Sequence, residues 1–196
     1  MVTDVRYSIE LRGLPATQRL AESVAAVLRP GDVLGLDGDL GAGKTTFVRF
    51  LARALGVTTP VTSPTFTLAN TYEARPPADR PLLIHHIDAY RLDGDADAED
   101  LALPELLDSG GIVVVEWAER LTLPDDRLDL HFQFPPDPSA APVSSPTERT
   151  DADPRVAARP TPTGTAPSPA DTRIVTVTRR GHSWQDRPPS PPRRRR

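Results

Sequence analysis

The segment Gly38-Asp39-Leu40-Gly41-Ala42-Gly43-Lys44-Thr45 constrains what this chain can fold into more than any other part of it. It matches G-x-x-x-x-G-K-[ST], a phosphate-loop spacing that works only where a strand hands over to a helix. The flanks have that order. Asp32 to Asp37 (DVLGLD) reads as a buried strand, and Lys44 to Leu55 reads as a helix closed by Gly56. Glycines let the backbone curl until successive N–H groups point inward, and the helix N-terminus adds its partial positive charge.

The motif implies a nucleotide and a magnesium ion. Lys44 supplies a mobile point charge to the β- and γ-phosphates, the Thr45 hydroxyl ligates the metal, and Thr46 continues the first helical turn beside them. Of 23 basic residues, Lys44 is the only lysine, which leaves 22 arginines. A planar guanidinium does not replace a compact ammonium in that cradle, so the lysine persists there against a drift toward arginine. The same count bears on the base. Guanine is usually read by an N-K-x-D segment and no lysine is left to build one, so adenine is expected, and ATP with Mg2+ as the cofactors.

Around the loop, the pattern alternates strands with helices. A strand near Tyr7 to Leu11 precedes a helix from about Pro15 to Leu28, stopped by Pro30-Gly31. Thr67 to Tyr72, Leu82 to Asp88 and Ile112 to Glu116 read as further strands, and Pro104 to Leu107 as a helical turn. The apolar run IVVVE is what a parallel strand covered on both faces requires. Leu128 to Phe134 and Arg173 to Thr178 alternate as two antiparallel strands would. The expected fold is therefore α/β: a three-layer P-loop NTPase fold with a mostly parallel central sheet and a C-terminal antiparallel hairpin.

Composition divides the chain. Most of its 23 prolines lie after Phe134, where large apolar residues become scarce. Such a segment cannot repay the entropy of ordering. The expected layout is an ATPase domain over residues 1–134, a disordered Pro-rich insertion over 135–171, a returning strand over 172–183 and a disordered Arg-rich tail over 184–196. A net charge of -4 argues against wholesale nucleic-acid binding, and Arg193 to Arg196 read as a solvated end, with a local RNA contact as the alternative. There is no cysteine, no basic flank followed by an apolar run at the N-terminus, and no stretch approaching a membrane span. A cytoplasmic protein with no membrane partner is expected.

Two strands end in a carboxylate, Asp88 after LLIHHI and Glu116 after IVVV, at the sheet edge where ligands bind in open α/β folds. One holds magnesium, directly or through water, while the other holds magnesium or orients the attacking water. Together with Lys44 they form the expected catalytic set. Thr65 lies on the connection after the loop helix, where a hydroxyl can sense the γ-phosphate or simply form a proline turn. Trp117 either stacks on the base or packs into the core. His85 and His86, adjacent on a strand, face opposite sides and cannot chelate together, so neither is assigned to a metal.

Read together, GDLGAGKTTF (Gly38 to Phe47), SPTF (Ser63 to Phe66), HIDAYRL (His86 to Leu92) and VEW (Val115 to Trp117) resemble the TsaE family, bacterial ATPases of tRNA threonylcarbamoyladenosine biosynthesis. The resemblance runs from about Tyr7 to Phe134 and takes in the strand near Arg173. It implies a small α/β P-loop protein that works with the TsaB and TsaD proteins, which attach threonylcarbamoyl to the adenosine beside the anticodon of tRNAs reading codons that begin with A. It further implies that the chain does not transfer that group itself and contacts tRNA only through the complex. Hydrolysis of ATP would reset the TsaB and TsaD assembly between cycles. Residues Gly38 to Thr45 carry over directly, with Thr45 and Glu116 as magnesium ligands, Asp88 as the carboxylate of HIDAYRL, Trp117 beside the nucleotide, and Thr17 approaching it from the first helix. The Pro-rich stretch and the Arg-rich end lie outside the family pattern.

Two rivals remain at this level. A small P-loop kinase would need an acceptor pocket and lid arginines, for which Arg75, Arg80 and Arg91 are available. A nucleotide-dependent interaction subunit would need only a difference in partner affinity between its ATP and ADP forms.

Overall fold

A computed structural model of the chain describes residues 4–64, 67–75, 81–92, 101–136 and 171–189. Among these, seven strands form one mixed sheet: β1 (Val5–Arg12), β2 (Val33–Gly38), β3 (Ala69–Ala74), β4 (Leu82–Asp88), β5 (Ile112–Glu116), β6 (Leu128–Gln133) and β7 (Thr172–Arg179). Their order is β1-β7-β6-β2-β5-β4-β3. The inner four, β6, β2, β5 and β4, run parallel; β3 closes one edge antiparallel, and β7 and β1 close the other antiparallel. The helices are α1 (Leu14–Ala25), α2 (Lys44–Ala54) and the short α3 (Leu103–Asp108).

Alternation along the strands builds two cores. Leu34 and Leu36 of β2, Ile112 and Val114 of β5, and Ile84 of β4 turn toward α1 and α2, where they meet Leu20, Val24, Phe47 and Leu51. Val33, Val113, Val115 and Ile87 turn to the other face, against Leu103 of α3 and the 3-10 turns after β4 and β5. α1 ends at Ala25 rather than Leu28; the chain loosens into a turn whose Leu28 amide reaches back to the Val24 carbonyl before Pro30 ends it.

The sequence reading places the last disordered segment at 184–196, and the structure corrects its first part. Trp184 is fully buried among the α1/α2-side apolar residues. Arg187 pairs with Asp32 through both terminal nitrogens, at 2.7 and 2.9 Å, and donates to the Val27 carbonyl. The Tyr7 hydroxyl donates to the Pro189 carbonyl at 3.2 Å. Residues 181–189 thus strap the N-terminal edge of the parallel strands. Composition marks this segment as unable to fold because proline and arginine dilute the single tryptophan that anchors it. Most of the Pro-rich insertion, 137–170, and the end of the tail, 190–196, lie outside the described residues.

His85 shows how a buried imidazole is satisfied. Ser109 donates its hydroxyl to the Leu106 carbonyl, so His85 Nε2 donates to Ser109 Oγ at 2.9 Å while Nδ1 accepts from the Thr71 hydroxyl at 3.0 Å. Burial holds the His85 pKa below its ordinary 6.5. The unfolded chain therefore binds the extra proton first as pH falls, so this contribution to stability is complete above pH 6.5 and shrinks below it. His85→Gln is expected to flatten the decline of unfolding free energy below pH 6.5, by up to about 1.4 kcal/mol per pH unit. Denaturant midpoints measured on both proteins through this range check it; parallel slopes would remove His85 as the cause.

Candidate functional site

The β2–α2 junction forms the centre of the site. Gly38 (φ 113°) and Gly43 (φ 108°) both occupy left-handed backbone, and a Cβ at Gly38 would run into the Phe132 carbonyl of β6. Asp39 pins the loop to the same strand: its amide donates to the Phe132 carbonyl at 3.1 Å, and its Oδ2 accepts from the Phe134 amide at 3.2 Å. Among the described residues no side chain caps the first turn of α2 at Gly43, which leaves the positive end of the helix dipole without a side-chain partner. Leu40, at the loop tip, is 72% exposed, whereas Ala42 is buried beneath it.

Lys44 is buried, and burial lowers its pKa against the pull of nearby Glu116, Asp37, Asp39 and Asp88. Its Nζ donates to the carbonyls of Gly38 (2.6 Å) and Asp39 (2.9 Å) and rests 3.7 Å from the Trp117 ring centre. Trp117 adopts φ 60°, ψ 44°, a left-handed conformation costing of order 1–3 kcal/mol for a residue of this bulk. One side of its ring packs toward the α3-side core, and the other meets Lys44 and Tyr90, whose ring centre lies 5.1 Å away. Trp117 therefore packs against the core, as one of its two readings expects, and also lines the cleft.

Register brings the carboxylates together. Asp88 sits directly opposite Glu116 across the β4–β5 pair, and both side chains turn to the α2 face. Glu116 Oε2 accepts from the Thr45 hydroxyl at 2.8 Å; Glu116 Oε1 lies 2.8 Å from Nε2 of the fully buried His86. Asp88 Oδ2 accepts from Ser63 Oγ at 3.0 Å, and its Oδ1 from the Tyr90 amide at 3.1 Å. An open cleft of about 310 Å³ is lined by Leu40, Gly41, Gly43, Lys44, Thr45, Thr46, Ser63, Asp88, Tyr90 and Trp117. On the far side of the loop, Thr17, Thr46 and the loop glycines line a second cleft of about 150 Å³ with Gly13, Asp171 and Arg173.

These donors suit magnesium. A hydroxyl and two carboxylates converge at the mouth of the loop, and Mg2+ is usually held by one or two carboxylates completed by phosphate oxygens and water. Among the described residues no group of three or more His, Cys, Asp or Glu side chains gathers to hold a metal by itself, so the phosphates would have to supply the remaining positions.

Of the residues expected from sequence, Leu40, Gly41, Gly43, Lys44, Thr45, Thr46, Asp88 and Trp117 line the larger cleft, Thr17 and Ala42 line the smaller one, and Glu116 lies behind Thr45 without lining either. Gly38 and Asp39 shape the loop through their carbonyls and the tie to β6. Thr65 lies outside the described residues, as does Arg80. Arg75 sits by Gly56 at the far end of α2, and no arginine lines the larger cleft among the described residues. Sequence reasoning did not single out Ser63, Tyr90 or the His86–Glu116 contact. Only the strand register, which no local pattern encodes, would have paired His86 with Glu116. Also among the described residues, no helix is long and apolar enough to cross a membrane.

The family model described as threonylcarbamoyl adenosine biosynthesis protein TsaE matches residues 11–138. Relatives named tRNA threonylcarbamoyladenosine biosynthesis protein TsaE include those of Bacillus subtilis, 44% identical over 58% of this chain and 69% of its own length, and of Streptomyces coelicolor, 47% identical over 59% and 77%. That of Aquifex aeolicus is 48% identical over 53% and 71%. Among solved structures, the crystal structure of YdiB from Bacillus subtilis superimposes with a TM-score of 0.60 at 29% identity, covering 92% of this chain and 90% of that one.

Proposed function

Since the chain belongs to the TsaE family of tRNA threonylcarbamoyladenosine biosynthesis proteins, we propose that it is the ATP-binding and hydrolysing member of that system, resetting an assembly of TsaB and TsaD proteins between cycles. The reading rests above all on one contact, the 2.8 Å hydrogen bond between Thr45 of the phosphate-loop motif and Glu116 at the end of the neighbouring parallel strand. A loop hydroxyl held beside a strand-end carboxylate supports a nucleotide-bound magnesium site of the P-loop kind. We read the sheet and its helices accordingly as a three-layer P-loop NTPase fold, working in the cytoplasm and meeting tRNA only through its partners.

In this reading the first-turn amides of α2 and the loop glycines receive the β-phosphate, and Lys44 swings from the Gly38 and Asp39 carbonyls to the β- and γ-phosphates. Magnesium, when bound, neutralises charge on the phosphates; Thr45, Glu116 and Asp88 are the residues that would hold it. Asp88, held by Ser63 and the Tyr90 amide, lines the same cleft and would either share the metal with Glu116 or orient water toward the γ-phosphate. Trp117 and Tyr90, in ring contact with each other, line the cleft beside Lys44.

Phosphate release from ATP by the purified chain, with and without the TsaB and TsaD proteins of its organism, tests the proposal. Release is expected to rise when the partners are added. Release that ignores them but responds to a small metabolite would replace this reading with a kinase.

A further inference from the structure

The two adjacent histidines of β4 are satisfied differently. His85 has a partner at each ring nitrogen, as a purely structural histidine should. His86, with no exposed surface, spends one nitrogen on Glu116 and leaves Nδ1 without a partner among the described residues. Buried polar atoms are rarely left so, and the exception points to a task at the other nitrogen.

Glu116 is held from two sides. An ionised carboxylate only accepts, so His86 donates from Nε2 to Oε1 and Thr45 donates to Oε2, both at 2.8 Å. His86 and Glu116 are diagonal neighbours on one face, since His86 pairs with Val114 and Asp88 with Glu116. A metal that takes a lone pair of the Thr45 oxygen leaves its O–H free to donate to Oε2, so that contact keeps Oε2 beside the cleft-lining Thr45. The His86 bond is the one that engages Oε1 and withholds it.

We propose that His86 is a positioning residue that holds Glu116 in a one-oxygen pose toward magnesium, making metal binding depend on a side chain that never touches the metal. The proposal rests on the nucleotide-site reading above. Partners of this kind typically contribute 10- to 100-fold to metal affinity.

The test is the magnesium dependence of ATP binding, followed by calorimetry on the full chain and on His86→Leu, His86→Gln and His86→Asn, with thermal melting to establish folding. Leu is expected to raise the half-saturating magnesium concentration about 10- to 100-fold while leaving metal-free ATP affinity within about twofold. Gln, whose amide reaches about as far as Nε2, is expected to recover most of the loss, and the shorter Asn is not. The Gln and Asn pair decides the matter if Leu fails to fold. A Leu titration superimposing on wild type, an equal loss with and without magnesium, or equal losses in Gln and Asn would each overturn the role of His86. Wild-type ATP affinity that ignores magnesium would overturn the nucleotide-site reading and this inference with it.

Discussion

Lys44→Ala is expected to lower ATP turnover by about 10²–10³-fold, the usual effect of removing one preorganised charge or donor from a developing oxyanion. The size follows from the surroundings of Lys44. It is buried, it is the only lysine, and burial lowers its pKa, so the ammonium is partly stripped of water and held by two carbonyls and an aromatic face. A charge kept in that condition interacts strongly with incoming phosphate because little water has to be displaced at the moment of binding. The variant also loses the brace between α2 and the carbonyls of Gly38 and Asp39, so nucleotide affinity should fall together with turnover. Lys44→Arg is expected to fare little better, since a planar fork does not fit beneath Trp117 in place of a compact ammonium. Single-turnover phosphate release and equilibrium nucleotide binding on the two variants check this. Turnover within about threefold of wild type would mean that the phosphates are held elsewhere.

Arg187→Ala should destabilise the chain by about 3–5 kcal/mol, the usual consequence of removing one partner from a buried ion pair. Both side chains are nearly enclosed, and the guanidinium also donates to the carbonyls of Val27 and Ser183 and stacks 4.5 Å from the Trp184 ring centre. Without it, the Asp32 carboxylate keeps only the Arg29 amide as a partner among the described residues. At about 2–4 °C per kcal/mol for a chain of this size, melting should drop by roughly 6–20 °C. The double variant Asp32→Asn with Arg187→Ala should recover part of the loss, because it removes the stranded charge. The strap lies at the start of β2 and the phosphate loop at its end, about 20 Å away at 3.3 Å per residue. Turnover below the melting range should therefore stay within about twofold of wild type. A midpoint shift under 1 kcal/mol would show that the strap is not integral to the fold.

The sequence carried what is local. The strand, glycine-rich turn and helix around Gly38 to Thr45 were legible because the motif's residues act within one turn of chain, and the other strands because apolar alternation or continuity is written directly into them. Both strand-end carboxylates were recognisable for the same reason. What stayed hidden depends on register: that Glu116 faces Thr45 on one side and His86 on the other follows from the β4–β5 alignment and the approach of α2. Single anchors were hidden too. Trp184 and Arg187 sit in a segment whose average composition resembles a solvated tail, and their partners Val27 and Asp32 lie far back in the chain. An isolated tryptophan near an arginine, with an unmatched aspartate just before a buried strand, was the available signal.

The insertion of β7 between β1 and β6 has a consequence for how the protein is made. Among the described residues β1 hydrogen-bonds to no strand except β7, and β6 meets β7 on the side away from β2. While the ribosome is still translating residues 134–171, the first strand has no partner and β6 carries an open edge. At common synthesis rates that interval lasts about 2–8 s. The phosphate-loop half of the sheet, β2 to β5, can meanwhile assemble from chain already made. Completion of this sheet waits for β7, the last of its seven described strands, and during the wait two unpaired edges are exposed to chaperones and to neighbouring nascent chains.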